Sequence, residues 1–551
     1  MRYSRQAIII TALTLLGFSV AHLFARTPDN RYSSTIYWVF FSSKNGTQTC
    51  IVSPRASERR NLRAFAPDFS QFDALVDESF TSLVEALGGR VRNVSRWLNA
   101  ISIEADSATL EAVKHLPFVT AVRPVASYSM PQPTERPFAA LSLPKPAVFD
   151  YGPSSTQVSM VSIDSLHNAG LSGAGILVGV MDTGFDTSHV AFSRLNSEGR
   201  LIATRDFING DSDVMDSPDI QRFHGTAVLS VLAGFDEGHL IGPAFGAEYA
   251  LAKTEIEQRE IRAEEDYWVA AAEWMESLGV DIISSSVGYI DWYDTTDLDG
   301  QTAVITRAAN MAESLGIVVV NAAGNEGNNP SWRKVIPPAD GYRVVAVGGV
   351  DANSEIIDFS SRGPTADGRI KPDFCALGAG DYGALYTGGY ASFSGTSFAA
   401  PLVAGGIALL LEGHPEWTPA DVISVLRQAS SRAYMPNNDY GWGIPNFVDA
   451  YFGLPYRPSG LPGVIITPQP AIDSAAFHLS VPQAADVFFS IHDVSGTPLI
   501  EREFQVAEAT VITFLWNGEN DSGKRVASGI YICVLKASGT SVREKFFFVR
   551  R

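Results

Sequence analysis

Residues 176–189 read ILVGVMDTGFDTSH, an apolar run that ends directly on Asp182, Thr183 and Gly184. A strand with one wet face alternates polar and apolar residues. A continuous apolar run fills a strand buried on both faces, as in a parallel sheet covered by helices. Open sheets of that kind bind their ligands at the carboxyl ends of the strands. The stretch therefore puts a carboxylate, Asp182, at the rim of an α/β sheet beside a crevice.

Two later stretches supply partners for it. In HGTAVLSVLAG (224–234), His224 precedes an apolar segment of helical character, which holds the imidazole at a helix's first turn. In FSGTSFAAPLVAG (393–405), Ser397 precedes a long apolar stretch that reads as a buried helix, with Pro401 expected near the first turn, where a missing N–H costs little. A serine hydroxyl becomes a useful nucleophile when an imidazole takes its proton and a carboxylate fixes the imidazole's tautomer. The three residue types are thus sufficient for acyl transfer, and the helix start offers N–H groups to a developing oxyanion. Singly, Asp182 reads as a turn former, His224 as a packed core residue and Ser397 as an N-cap. Jointly and in this order, those readings fail.

Three more blocks accompany them: DIISSSVGY (281–289), VVVNAAGNEGNN (318–329) and FSSRGP (359–364). With the chain order Asp, His, Ser, residues 151–451 resemble the subtilisin-like serine proteases. The resemblance implies Ser397 as nucleophile, His224 as general base and acid, Asp182 as its orienting carboxylate, and Asn325 with the Ser397 N–H as oxyanion hole. It also implies a substrate-binding set of Ser284, Ser285, Ser286, Val287, Gly288, Ala322, Ala323 and Gly324. Their small side chains predict an open slot for large apolar residues, and Glu326 at its mouth leaves a basic residue as the alternative. Ala227 stands where many members carry a second histidine, and Phe245 and Leu377 where proline is common. These departures touch loop shape. The chemistry requires no cofactor. Asp211, Asp213 and Asp216 in NGDSDVMDSPD (209–219) would suit a structural Ca²⁺, which takes several oxygens, or form a solvated acidic loop; EF-hand spacing is absent.

At 551 residues the chain exceeds what one core supports, so several domains are expected. Its net charge of −19 and lack of a basic stripe exclude nucleic acid as a partner. Cys50, Cys375 and Cys533 have no metal-ligand spacing and cannot all pair within the chain. Residues 1–25 begin with Arg2 and Arg5, continue with an apolar run too short for a spanning helix and carry small residues at Ser19, Ala21 and Ala25. They read as a secretory signal cut after Ala21 or Ala25. No later segment reads as a membrane span.

Strand and helix alternate in residues 36–128: IYWVFFSS, ESFTSLVEALGG, WLNAISIEA, a helix capped by Asp106 or Ser107, then FVTAVRPV. This small ferredoxin-like α+β unit resembles the inhibitor-type prosegment of subtilases, implying that it templates folding and then occupies the cleft. Residues 129–150 form a proline-rich, exposed junction, 151–452 the peptidase, and 453–470 a proline-rich linker. Residues 471–551, with short strands and Asn-Gly and Ser-Gly turns, read as a small antiparallel sandwich. This module resembles the immunoglobulin-like domain of flagellar hook-capping proteins and the sorting domains of type IX secretion cargo. Outer-membrane secretion machinery is the partner this implies; a plain accessory module is the alternative.

The expected architecture is a doubly wound α/β, mostly parallel sheet between a ferredoxin-like prosegment and an all-β sandwich. The expected protein is a secreted or cell-surface serine endopeptidase acting on proteins or peptides, made as a self-processing precursor whose other partner is its own prosegment. A catalytically silent surface or adhesion protein is the competing class. A lipase or esterase is a third, but GTSFA lacks the Gly-x-Ser-x-Gly elbow.

Overall fold

The computed structural model describes residues 36–44, 48–65, 68–128, 149–215, 222–256, 263–453, 463–481, 485–506 and 510–550. The leader, nearly all of the junction, residues 454–462 of the linker and Asp216 lie outside the described residues.

The prosegment comprises β1 (Ile36–Phe41), α1 (Pro54–Arg63), α2 (Glu78–Ala86), β2 (Arg90–Ser95), β3 (Ala100–Glu104), α3 (Ser107–Lys114), β4 (Val119–Pro124) and β5 (Ser127–Tyr128). Strands β1 to β4 form an antiparallel sheet in the order β2-β3-β1-β4, the ferredoxin-like arrangement. Asp106 caps α3 through the N–H of Thr109. Alternation along β1 divides the sheet's two faces. Val39 and Phe41 join Ile101, Ile103 and Val84 in the prosegment's own core, whereas Trp38 and Phe40 pack into the catalytic domain.

The catalytic domain is built on seven parallel strands in the order β13-β12-β11-β10-β6-β8-β7. In chain order these are β6 (Leu177–Asp182), β7 (Leu201–Asp206), β8 (Glu248–Lys253), β10 (Ile282–Ser285), β11 (Val318–Ala322), β12 (Val345–Val350) and β13 (Phe374–Leu377). The short β9 (Ala263–Glu264) stands apart. Helices α4 (Phe223–Ala233) and α7 (Thr396–Gly413) cover one face, over Val178, Val180, Leu251, Val318 and Val347. Helices α5 (Glu265–Leu278) and α6 (Val304–Ser314) cover the other, over Met181, Ala252, Ile283 and Val319. Burial of both faces is why the inner strands β6, β11 and β12 read as apolar runs, whereas the edge strand β7 carries Thr204, Arg205 and Asp206 and is only partly buried. Among the described residues α7 is long and apolar enough to cross a membrane, against the expectation that no segment after the leader would pass that test. It is instead the buried central helix of a doubly wound domain.

The C-terminal module holds seven strands around a separate core that includes Phe477, Phe489, Trp516, Tyr531, Phe546 and Phe548. The pairing is antiparallel as expected, except that the module's first strand, Gly463–Ile472, which takes in residues 463–470 expected to belong to the linker, lies parallel to its last, Thr540–Val549. None of the three cysteines is in a disulfide: Cys50 lies in the prosegment, Cys375 is buried in β13, and Cys533 is buried in the C-terminal module.

Candidate active site

Parallel strands deliver their C-terminal ends to one rim, and the rim gathers what the sequence singled out. Asp182 ends β6 with its carboxylate buried. Its Oδ1 accepts from His224 Nδ1 at 2.7 Å, from the Thr183 N–H at 2.8 Å and from the Thr183 hydroxyl at 3.2 Å. His224 sits in the first turn of α4, its ring 5.8 Å from that of Phe398. A proton on Nδ1 shared with Asp182 leaves the lone pair of neutral His224 on Nε2.

Ser397 is the second residue of α7, so its N–H has no partner one turn back within the helix. Pro401 is the sixth helical residue, inside the helix rather than in its first turn as the sequence suggested. The N–H it lacks would have donated to the Ser397 carbonyl. Ser286 fills the gap: its hydroxyl donates to that carbonyl at 2.8 Å, while Ser397 Oγ lies 3.4 Å from the Ser286 carbonyl. Ser286 and Ser397 are thus tied together at two points.

The Asn325 amide has a fixed polarity. Its Oδ1 accepts from the Thr396 N–H and from the Thr396 hydroxyl, both at 3.0 Å, and Thr396 Oγ1 accepts in turn from the Gly324 N–H at 3.2 Å. Occupied in this way, the oxygen leaves Nδ2 as the atom presented beside the start of α7. Thr396 and the Ser286 hydroxyl escape sequence reading because neither role has a local signature; each depends on a residue far along the chain.

The remaining expected site residues share this rim. Ser284 and Ser285 end β10 beside Val320 and Asn321 of β11, and Ser286, Val287 and Gly288 continue past the sheet. The Ser285 hydroxyl accepts from Trp268 Nε1 at 3.0 Å, and Asn321 Nδ2 donates to the Val287 carbonyl at 3.0 Å. Ala322 and Ala323 are buried at the end of β11, next to Gly324. Glu326 is buried, with Oε2 accepting from Asn329 Nδ2 at 2.6 Å and its N–H donating to Ser361 Oγ. Of the acidic loop, Asp211 and Asp213 each accept from a backbone N–H two residues on, and among the described residues no group of three His, Cys, Asp or Glu side chains is set to hold a metal.

The tail of the prosegment enters this rim. Strand β5 pairs antiparallel with β9, Ser127 Oγ donates to Asp291 Oδ2 at 3.0 Å, and the Ala126 N–H donates to Glu265 Oε1 at 3.2 Å. Glu265 also accepts from Trp38 Nε1 and the Tyr293 hydroxyl, each at 3.0 Å. Burial pushes its carboxyl up to about 7.

Comparison with known proteins agrees with this geometry. Residues 173–443 match the Subtilase family and residues 36–137 the Peptidase S8 propeptide domain of Bacteroidota. Subtilisin E of Bacillus subtilis (strain 168) is 29% identical over 397 residues, covering 71% of this chain and 90% of that protein. Subtilisin of Bacillus pumilus is 31% identical over 295 residues, 52% of this chain and 95% of that protein. The membrane-bound transcription factor site-1 protease of Rattus norvegicus is 30% identical over 254 residues, 45% of this chain and 22% of that protein.

Proposed function

Since this chain belongs to the subtilase family of serine endopeptidases and carries the propeptide domain of such enzymes, we propose that Ser397 is its nucleophile, His224 its general base and acid, Asp182 the carboxylate that orients His224, and Asn325 its side-chain oxyanion donor. The observation that carries the assignment is the buried 2.7 Å contact between Asp182 Oδ1 and His224 Nδ1 on the rim that also holds Ser397.

In this reading a peptide lies along Ser284, Ser285, Ser286, Val287 and Gly288 and against Ala322, Ala323 and Gly324. Ser397 Oγ attacks the scissile carbonyl carbon as its proton passes to His224 Nε2, and Asp182 stabilises the imidazolium. The oxyanion meets Asn325 Nδ2–H and the Ser397 N–H, donors that need no reorganisation. His224 then protonates the leaving amine, and water, deprotonated by the same imidazole, releases the acyl group. The chain's own side chains, one backbone N–H and a water do all of this, and no cofactor enters the chemistry. The small side chains of the slot support a large apolar residue as its occupant, with a basic residue facing Glu326 as the alternative.

We further propose that the enzyme cuts its own junction between residues 127 and 156, that residues 1–25 direct export, and that the C-terminal module addresses the protein to an outer-membrane secretion machinery. The docking of β5 at the rim supports the first, since it leads the chain into the site. Labelling with a serine-directed fluorophosphonate tests the centre: wild type takes the label, while Ser397→Ala takes none and accumulates with its prosegment attached. A cut Ser397→Ala chain from a host lacking other proteases would refute self-processing, and a labelled one would refute the nucleophile.

A further inference from the structure

The connection from β1 to β2 is longer than its fold requires. A ferredoxin-like sheet needs one helix there, and α2 supplies it, packing Phe80 and Val84 on the prosegment core. Helix α1 adds nothing to that core and turns its arginines toward the catalytic domain. Ser53 caps α1 through the Ala56 N–H, and Pro54 opens it.

Arg59, Arg60 and Arg63 are buried although charged. Arg59 donates to Glu276 Oε1 at 2.7 Å and to the Val280 and Leu315 carbonyls. Arg60 reaches Glu276 at 2.8 Å and Asp73 of the prosegment at 2.8 Å. Arg63 reaches Asp281 Oδ1 at 3.0 Å and the Pro415 carbonyl at 2.6 Å. Arg55 pairs with Glu248 and with Asp281 at 3.0 Å, and donates to the Gly175 carbonyl. The catalytic domain is shaped for this helix: a Cβ on Gly279 would fall 2.7 Å from the Ala56 nitrogen, and one on Gly316 2.9 Å from Arg63 Cβ.

These acceptors share a location. Glu248 begins β8, Asp281 immediately precedes β10, and Asp281 Oδ2 accepts from the N–H of Leu177, the first residue of β6. All lie at the N-terminal edge of the parallel sheet, whereas Asp182 ends β6 at the opposite edge, roughly 20 Å away for a six-residue strand. We propose that this edge is an exosite for arginine-bearing helices, separate from the cleft. Its resident ligand is α1, which acts as a second anchor that keeps the prosegment on the enzyme after the junction is cut. The inference deepens the self-processing reading above and rests on it for its role in maturation. The recognised chemistry is the guanidinium fork, which meets a carboxylate and a carbonyl at once, as the point charge of lysine does not.

The test separates the anchor from self-cleavage. A recognition site for an exogenous protease is placed within residues 129–148 of the Ser397→Ala chain, and the cut protein is followed by size-exclusion chromatography. The prosegment is expected to co-elute with the rest of the chain. With Arg59→Ala and Arg63→Ala it should dissociate at least tenfold faster, and the paired lysine substitutions should not restore retention. A synthetic peptide of residues 53–64, fluorescein-labelled, should bind the stripped protein saturably, and at least tenfold more weakly when Glu276 is glutamine. If the alanine variants fold poorly before cutting, the peptide measurement decides. Unchanged retention in the alanine variants, or no peptide binding to stripped protein, overturns the exosite. Failure of the wild-type chain to cut itself overturns only the self-processing reading.

Discussion

At its C-terminal end the catalytic sheet presents hydrogen-bonding capacity that the described residues do not use, whereas at its N-terminal end Glu248, Glu276 and Asp281 are occupied by the arginines of α1. Asn325 is held by its oxygen so that its Nδ2 is turned outward, and Ser397 keeps the N–H of a helix's first turn. A catalytic rim must leave donors unspent, because their partner is a charge that exists only in the transition state. A binding edge does the reverse. It pairs every charge in the complex and becomes costly when its ligand leaves.

Breaking the N-terminal edge should therefore cost most in stability. Glu276→Gln in the uncut Ser397→Ala precursor removes one carboxylate from three buried arginines, Arg59, Arg60 and Arg96, and should lower unfolding free energy by about 3–5 kcal/mol in denaturant titration. A loss below about 1 kcal/mol would mean that water replaces the carboxylate and the contrast with the rim is weaker than drawn.

Breaking the catalytic rim should cost rate and leave stability alone. Asn325→Ala should lower kcat by about 10²–10³, or ~2.7–4 kcal/mol, with KM within a few-fold, the magnitude known for the oxyanion asparagine of subtilisin. Leucine should do no better, and aspartate should be worse than alanine because its charge opposes the oxyanion. Kinetics on a peptide anilide with titrated active sites give the answer; more than about a third of wild-type kcat would reduce Asn325 to a loop residue.

The two ends should also respond differently to pH. Glu265, raised by burial to about 7, binds its proton in the folded precursor at pH values where the unfolded chain has lost it. Its contribution is therefore complete below about pH 4.5 and is lost as pH rises to about 7, a span worth about 3 kcal/mol. Burial also works to raise Glu276, but the Arg60 hydrogen bond and the Arg59 charge outweigh it and hold that carboxyl low. Its contribution is present above the ordinary carboxylate range and is lost as pH falls below it. Glu265→Gln should flatten the precursor's stability profile between about pH 4.5 and 7 while the acid limb stays. A slope unchanged in that window would assign the titration elsewhere.

The smallest effect is expected from the region in neither comparison. The C-terminal module has its own aromatic core, so deleting residues 463–551 should leave kcat/KM within about twofold while altering where the native host delivers the protein. Unchanged delivery in cell fractionation would leave it an accessory module.

What could be read from the sequence followed the range of the signal. Asp182, His224, Ser397 and Asn325 each sit in a short block in which small residues and an adjoining apolar run encode the local geometry, so the rim was legible without coordinates. The alternation of strand and helix in residues 36–128 likewise announced its sheet. Helix α1 announced nothing: PRASERRNLR has no apolar stripe and reads as a solvated surface helix. Its partners, at positions 248, 276 and 281, come together only when β8, α5 and β10 assemble. Pro401 lies deeper in the helix than its sequence suggests for a related reason, since the helix begins at Thr396 and Ser286, just past the end of β10, supplies the missing donor.

The distribution of sulfur bears on the lifetime of the precursor. Cys50, Cys375 and Cys533 fall one to each of the three parts, and none is bonded to another. Burial pushes the Cys375 thiol up to about 12, which keeps it in the unreactive, protonated form. A cut in the junction is therefore the loss of the last covalent tie between prosegment and enzyme, and no oxidant or reductant acts on that tie. The interval between cutting and full activity then depends on non-covalent contacts alone, the buried arginine pairs together with the apolar packing of Trp38 and Phe40, so it does not answer to the redox state of the compartment in which the enzyme matures.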